Sequence, residues 1–427
     1  KLKIGIIGIG NVGLQVLKDI QSNGKINNFL NIEKILVRDK DKYLKILESE
    51  FGADSPVLEK LTDDYNNFIN SDIDTVVELI GGSSPAKEYV NEALNYKKNV
   101  VTANKEIIAS SIEDLTSSAN LNKVKIRFEA AVGAGIPLIE VLIDMLKQNK
   151  ISKITGIING TSNYILSSMH NSNKSFDESL KEAQRLGFAE SVPTNDIGGF
   201  DAVYKLSILG SIAFGGKVPI ESISVKGIEN LSQKDISYSN ELGFVIKLLA
   251  VTEDKSSKIY SNVAPYLVPK NHPLAKVNDN YNAIEINGDL VGNLWFQGQG
   301  AGKLSTTSAV IGDLIGIENS TSGSLLLEDK ELNFLSDDEI VGKKYIRLNV
   351  EDKFGVLEKI AGIFSRNKVS IASVIQKEVD KKGLADLVIM THESKGNNLK
   401  NSLDEIQKLN FIKEDPTTFE IYKLWRG

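Results

Sequence analysis

Short apolar runs alternate with amphipathic stretches through the first third of the chain. Residues 1–7 (KLKIGII) read as a buried strand, and residues 14–20 (LQVLKDI), behind a glycine turn, as an amphipathic helix. Apolar runs at 33–37, 75–80 (TVVELI), 99–101 and 124–128 repeat the strand signal, and residues 138–146 carry a helical one. Strands separated by helices predict a parallel sheet with helices packed on it. From Ile154 the pattern changes: TGIING is strand-like, Thr161-Ser162-Asn163 opens a helix, and a largely apolar helix follows Asp201. Runs at 223–227, 258–267 and 282–287, separated by polar turns, predict an antiparallel sheet and hence a second, α+β domain.

A glycine turn at 298–302 precedes a helix at 308–317, which is expected to return the chain to the first domain. Residues 319–341 are serine-rich, then acidic, and read as a linker. Beyond them come a strand at 345–350, a helix ending near Phe364, strands at 370–376 and 385–391 and a helix from Leu399. That βαββα order predicts a small ferredoxin-like module standing as a separate domain. The expected organisation is an α/β domain at 1–137 completed by 298–318, an α+β domain at 138–297, a linker at 319–341 and the ferredoxin-like domain at 342–427.

Composition narrows the chemistry. At 427 residues the chain exceeds one ordinary core, and its net charge of −6 offers no basic footprint for nucleic acid. The absence of cysteine excludes disulfides, thiolate metal sites and cysteine nucleophiles, so any metal is held by oxygen. His170, His272 and His392 lack metal-ligand spacing and read as ordinary surface or core residues. No apolar run reaches the ~20 residues that span a bilayer. Residue 1 leads straight into a strand, so a cytoplasmic protein without a membrane partner is expected.

Four charged residues between 187 and 209 form the candidate active site. Asp201 and Lys205, four apart, share a helix face, while Ala202, Val203, Leu206, Ile208 and Leu209 mark that helix as buried. Charge in such a place is costly unless it is paired or used. Glu190 and Asp196 lie just upstream in a loop with Pro193, Gly198 and Gly199.

A second candidate is Gly8-Ile9-Gly10-Asn11-Val12-Gly13, set between strand and helix, where a glycine turn fits a dinucleotide pyrophosphate. The strand at 33–37 leads to Arg38-Asp39. An arginine there accommodates the 2′-phosphate of NADP and an acid bonds the ribose of NAD, so Arg38 leans the choice to NADP and Asp39 keeps NAD open. Gly81-Gly82-Ser83 and Thr102-Ala103-Asn104-Lys105 follow strand C-termini, the rim where a doubly wound sheet takes its ligand. Lys105 begins a helix, a position that disfavours cations, and so points to a negative partner. The turn EAAVGAGIP at 129–137 can aim carbonyls at a small hard cation, although spacing alone favours a plain strand-to-helix turn.

Taken together, GIGNVG, VVTANKEIIA with Lys105, FEAAVGAGIP with Glu129, ING with Gly160 and Thr161, Glu190 with GFDAVYKLSIL, and GAGKLSTTSAVIGDL resemble homoserine dehydrogenase over essentially the whole chain. YIRLNVEDKFGVLEKIAGIFSRNKVSIASVIQK resembles a regulatory ACT domain. The resemblance implies a Rossmann-like domain, a catalytic domain and the ACT domain, and reversible reduction of L-aspartate 4-semialdehyde to L-homoserine with NADPH or NADH. It makes Lys205 the proton donor, Asp201 the carboxylate that orients it, and Lys105 a group at the cofactor and substrate junction. Glu190 matches the group that binds the substrate ammonium, with Asp196, Gly160 and Thr161 beside it. The glycine turn ending at Gly302 joins the cofactor contacts.

The resemblance further implies a sodium site, mostly of carbonyls, at Glu129, Val132, Ala134 and Ile136. It implies an amino-acid effector, threonine first, at Asp352, Gly355, Val356 and Leu357 against a partner chain, and hence a homodimer or homotetramer. The chain also departs from the family pattern. Val192 and Gly198 stand where acidic or polar residues are usual, and Ser305 and Phe354 replace prolines. Two other readings remain at this stage: another NAD(P)-dependent enzyme of amino-acid aldehydes, and a non-catalytic amino-acid sensor, which the intact Lys105, Asp201 and Lys205 weigh against.

Overall fold

The computed structural model describes residues 1–319, 325, 327, 330–377 and 383–423. The chain divides into two compact units, one of Lys1–Ser152, Tyr204–Ile220 and Ile286–Leu332, the other of Lys153–Val203, Glu221–Glu285 and Asn333–Gly427.

In the first unit β1 (Leu2–Ile7), β2 (Leu30–Leu36), β3 (Leu61–Thr62), β4 (Thr75–Glu78), β5 (Asn99–Thr102) and β6 (Ile126–Arg127) form one sheet, ordered β3-β2-β1-β4-β5-β6. Every pairing in it is parallel. Ile4, Ile6, Val76, Val77, Val100 and Val101 are fully buried, as continuous apolar strands covered on both faces must be. The order reverses between β1 and β4, the switch point at which such sheets bind ligands. A distant segment completes the core: Val310, Ile311, Leu314 and Ile317 of helix Lys303–Asn319 cluster with Val16, Leu17 and Ile20 of α1 (Asn11–Ser22). The return of the chain expected after residue 302 therefore occurs, with the helix starting at Lys303 rather than 308. The helix expected at 138–146 is reduced to a single π-helical turn at Val141–Met145.

In the second unit seven strands bond in the order Ile151–Ile157, Phe244–Asp254, Lys258–Pro269, Thr417–Ile421, Lys344–Glu351, Leu384–Thr391, Ile371–Gln376. The apolar pattern does not reveal Phe244–Asp254 or Thr417–Ile421 as strands. Thr417–Ile421 makes the ferredoxin-like module βαββαβ, and it uses both its edges. Glu420 and Ile421 pair in parallel with Tyr266 and Leu267, while residues 417–420 pair antiparallel with residues 344–347. The module expected to stand apart is thus joined to the sheet of the α+β domain by a shared strand. Charge reinforces the join: fully buried Asp235, on helix Gln233–Glu241, takes the Arg347 guanidinium at 2.7 Å, and Asp386 takes Lys234 at 3.0 Å. A buried carboxylate of this kind requires such a partner.

Of the linker expected at 319–341, residues 320–324, 326, 328 and 329 lie outside the described residues. Its later half is ordered, because Asn333–Leu335 runs parallel to residues 258–260 and Val341–Gly342 pairs with Ser394–Lys395. Among the described residues no helix is long and apolar enough to cross a membrane.

Candidate active site

The residues expected to bind the dinucleotide lie on the first unit. A Cβ on Gly13 would stand 2.2 Å from the carbonyl oxygen of Gly8, so only glycine lets α1 pack this closely on the turn. Around Gly10 no heavy atom lies within 4 Å of the corresponding point. Asn11 and Val12 open α1, which has neither a side-chain cap nor an acid in its first turn. Its leading N–H groups are therefore free of side-chain capping and face no acid of that turn, as an anion site requires.

The rim beyond β4 and β5 is held by a network that the sequence reading does not contain. Glu78, fully buried, accepts from the N–H groups of Ile80 (2.8 Å) and Gly81 (3.2 Å) and from the Thr102 hydroxyl (2.6 Å). Thr102 accepts from the Asn104 N–H at 3.0 Å, and the Asn104 amide donates to the Gly82 carbonyl at 2.6 Å. Asn104 also caps helix Lys105–Leu121, accepting from the Ile107 N–H. The network fixes the exposed Gly81-Gly82-Ser83 rim and sets half-buried Lys105 at the head of its helix. An acid closing an otherwise apolar strand, TVVE, was the available signal.

At the end of β2, Arg38 is exposed, and Asp39 caps helix Lys40–Phe51 by accepting from the Lys42 N–H at 3.0 Å. Gly302, with φ +126°, precedes helix Lys303–Asn319, and its carbonyl accepts from the Ser305 hydroxyl at 3.0 Å. In the 129–137 turn, the buried Glu129 carboxylate accepts from the N–H groups of Leu138 (2.6 Å), Ile139 (3.0 Å) and Glu140 (2.9 Å). This takes up the first N–H groups of the segment that fails to become an α-helix. The Glu129 N–H donates to the Asp313 carboxylate at 2.9 Å. Burial, then the Glu129 charge, raises the Asp313 carboxyl well above its ordinary range. Val132, Ala134 and Ile136 are buried, and Ala134 adopts φ +47°. Among the described residues no group of three or more His, Asp or Glu could hold a metal ion.

The residues expected to hold the substrate gather around Asn159, which the sequence reading passed over for its neighbours. Asn159 caps helix Gly160–Ser172, accepting from the Ser162 N–H at 2.8 Å. Its amide nitrogen donates to Asp196 Oδ1 at 2.7 Å and to Asp201 Oδ2 at 2.9 Å. One side chain thus clamps two of the carboxylates that the sequence singles out. The Ser162 hydroxyl donates to the Asp196 carbonyl at 2.8 Å, and the Thr161 hydroxyl holds the Phe188 carbonyl, so residues 159–162 tie the loop down at three points. Glu190 lies exposed on that loop, its carbonyl accepting from the Gln184 amide at 3.0 Å.

Val192 is 73% exposed. Gly198 is buried, and a Cβ there would meet the Thr194 carbonyl oxygen at 2.7 Å, which accounts for the loss of a side chain at that position. Asp201 and Lys205, one turn apart on helix Phe200–Phe214, are only 7% and 8% exposed.

Comparison with known proteins gives this arrangement its context. Residues 8–129 match the family model of the homoserine dehydrogenase NAD-binding domain, 137–315 that of homoserine dehydrogenase itself, and 344–411 that of the ACT domain. The homoserine dehydrogenase of Bacillus subtilis is 35% identical over 98% of this chain and 98% of its own length. The chain belongs to the homoserine dehydrogenase family. The homoserine dehydrogenase of Synechocystis is 37% identical, covering 98% of this chain and 99% of its own length. A homoserine dehydrogenase structure from Thiobacillus denitrificans matches with TM-score 0.90 at 34% identity, covering 99% of this chain and 98% of that one. A hyperthermophilic archaeal homoserine dehydrogenase, solved in complex with NADPH, matches 75% of this chain and 99% of its own at TM-score 0.64 and 28% identity.

The expected architecture holds: a Rossmann-like NAD-binding domain with a parallel sheet, a catalytic domain and a C-terminal ACT domain. As a homoserine dehydrogenase, the chain is an NAD(P)-dependent oxidoreductase acting on a CH–OH group, in the biosynthesis of threonine and methionine.

Proposed function

We propose that in the reversible reduction of L-aspartate 4-semialdehyde the work is divided among the residues around the Asn159 clamp, with NADPH preferred over NADH. The nicotinamide, when bound, supplies the hydride to the carbonyl carbon. Lys205 gives a proton to the carbonyl oxygen as it gains charge, and in the reverse direction takes it from the homoserine hydroxyl. Asp201, on the same helix face, orients the ammonium of Lys205. Glu190, on the exposed loop, with Asp196 and the Gly160-Thr161 backbone beside it, receives the substrate ammonium. Lys105, at a helix start that disfavours a cation, serves the substrate carboxylate or the cofactor phosphates.

The observation that carries this reading is the bonding of one buried amide, Asn159, to both Asp196 and Asp201. It supports a preorganised site rather than two unrelated surface acids. In a rate assay following NADPH oxidation with aspartate semialdehyde, Lys205→Ala is expected to lower kcat about 10²-fold or more, with NADPH affinity unchanged. A collapse of NADPH affinity instead would show that Lys205 is misassigned.

The preference for NADPH rests on Arg38, because Asp39 already spends a carboxylate oxygen on capping its helix. The sodium reading draws on the turn's own charge. Glu129 and Asp313 bring two carboxyls together in a buried place, and a small hard cation on the carbonyls of Val132, Ala134 and Ile136 would relieve them. Its role is structural, since three N–H groups already occupy the Glu129 carboxylate.

The amino-acid effector, threonine first, is assigned to the turn at Asp352, Gly355, Val356 and Leu357. Asp352 there accepts from the Gln376 amide at 2.9 Å, and Gly355 adopts φ +81°. Among the described residues Ile371–Gln376 ends the sheet with one unpaired edge, and Phe354 beside the turn is fully exposed. Both features support a partner chain at this edge, in a homodimer or homotetramer.

A further inference from the structure

Where the catalytic sheet meets the ACT sheet lies a cavity of about 200 Å³, lined among others by Lys226, Lys344, Asp337, Glu420, Val263 and Phe419. Its walls carry both signs of charge. Lys226, exposed at the mouth, donates to the Thr418 carbonyl at 2.7 Å and lies 5.4 Å from the centre of the Phe419 ring. Lys344, whose side chain is only 15% exposed, pairs with Glu420. Burial pushes the Lys344 ammonium down to about 8, with the Asp337 charge opposing that shift and Lys226 adding to it. Asp337 is held by the Ser224 hydroxyl (2.9 Å) and the Tyr260 hydroxyl (2.8 Å), both donating to the same carboxylate oxygen.

The same cavity backs onto the substrate loop. Ser224 and Val225 pair in parallel with Asn262 and Val263, and the Lys226 N–H donates to the Val263 carbonyl at 2.8 Å. Two residues on, the Ile228 N–H donates to the Ile197 carbonyl at 2.8 Å. Val225 and Val263 also press on Gly199, where a Cβ would stand 3.1 and 3.2 Å from their methyl groups. The segment walling the cavity is thus bonded directly to the loop that holds Asp196 and leads into Asp201.

We propose that this cavity binds a small zwitterionic amino acid, its carboxylate between Lys226 and Lys344 and its ammonium at Asp337, and that the occupant acts on the substrate loop through residues 224–228. The volume is below the ~300–1,000 Å³ of drug-sized sites, so the ligand has few heavy atoms. A simple anion would leave Asp337 opposing it, and a simple cation would face two ammonium groups. A zwitterion matches both ends, and Val263 and Pro265 offer apolar surface to a short side chain. The site is distinct from the ACT turn at Asp352. Its action on turnover rests on the dehydrogenase reading, whereas its binding does not.

Isothermal titration of the full chain with glycine, alanine, serine and threonine, and with acetate and ethylamine as single-charge halves, separates these cases. At least one amino acid is expected to bind at one site per chain, at least tenfold more tightly than either half. Lys226→Gln, which keeps an N–H donor for the Thr418 carbonyl and removes the charge, is expected to weaken that binding tenfold or more with an unchanged melting temperature, while Asp352→Asn leaves it within twofold. At saturation the ligand is expected to shift the KM for aspartate semialdehyde at least threefold in the wild type and not in Lys226→Gln. The proposal is overturned by the absence of saturable binding, by acetate binding equally well, by binding that follows Asp352 rather than Lys226, or by an unmoved KM at saturation.

Discussion

Asn159 shows how much one side chain can organise. It caps a helix with its oxygen and clamps two carboxylates with its nitrogen, so its two functions are separable by substitution. Asn159→Ala is expected to cost about 1 kcal/mol of stability through the lost cap and to lower kcat/KM roughly tenfold or more through the freed carboxylates. Asn159→Ser restores the cap and hence the denaturation midpoint, but not kcat/KM. If serine restored both, the clamp would have no catalytic role. At the same scale, His170 accepts from the Ile246 N–H at 2.9 Å, and burial, with Lys247 and Lys270 nearby, pushes it down to about 4.

The sign follows from proton counting. Between about 4 and the ordinary 6.5, the unfolded chain binds a proton that the folded chain does not. The stability His170 contributes is therefore complete above 6.5 and is lost as pH falls toward 4. Urea midpoints measured between about pH 7 and pH 5 should fall, and His170→Gln, which keeps an acceptor for Ile246, should flatten that slope. Charged residues in apolar surroundings were legible in the sequence, as Asp201 and Lys205 show. Asn159 and Glu78 were not, because Asp196, Asp201 and Thr102, which they bond, lie on segments far away in the chain.

At the level of elements, periodicity located five of the six strands of the parallel sheet and the helix behind the glycine turn, because each is continuous and apolar or cleanly amphipathic, and it missed the two-residue edge strand Leu61–Thr62. It read residues 138–146 as an α-helix, where the structure has a π-helical turn at Val141–Met145 whose leading N–H groups are capped by the Glu129 carboxylate. The glycine turn offers the sharpest test. Gly13→Ala forces a carbon onto the Gly8 carbonyl, so NADPH affinity measured by fluorescence titration should drop at least tenfold, with a stability loss of about 1–3 kcal/mol. Unchanged affinity would mean that the turn does not hold the cofactor.

For the molecule as a whole, the order of domains was legible, but the continuity of the larger sheet was not. Thr417–Ile421 is short and polar at alternate positions, and its neighbours come from two separate domains, so nothing local announces it. Removing residues from 417 onward should expose residues 266–267 of Lys258–Pro269 and residues 344–347 of Lys344–Glu351 together. The truncated chain is expected to melt several degrees lower and to form large species on size exclusion, while still binding NADPH through the parallel sheet. A monodisperse product with an unchanged melting temperature would contradict the bridging role of this strand.

The same strand sets a timetable for biosynthesis. On the ribosome the parallel sheet has all its strands once residue 127 has emerged, and its core closes with helix Lys303–Asn319. Residues 266–267 of Lys258–Pro269, by contrast, must wait for the far end of the ACT module, although Ser224–Val225 and Asn333–Leu335 cover the rest of that edge earlier. During that interval the nascent chain carries an open edge, and chaperone capture or misassembly has its opportunity there. Slowing translation between the two halves should therefore harm yield more than slowing it within the first 130 or so codons, a cost that follows from where one late strand is inserted.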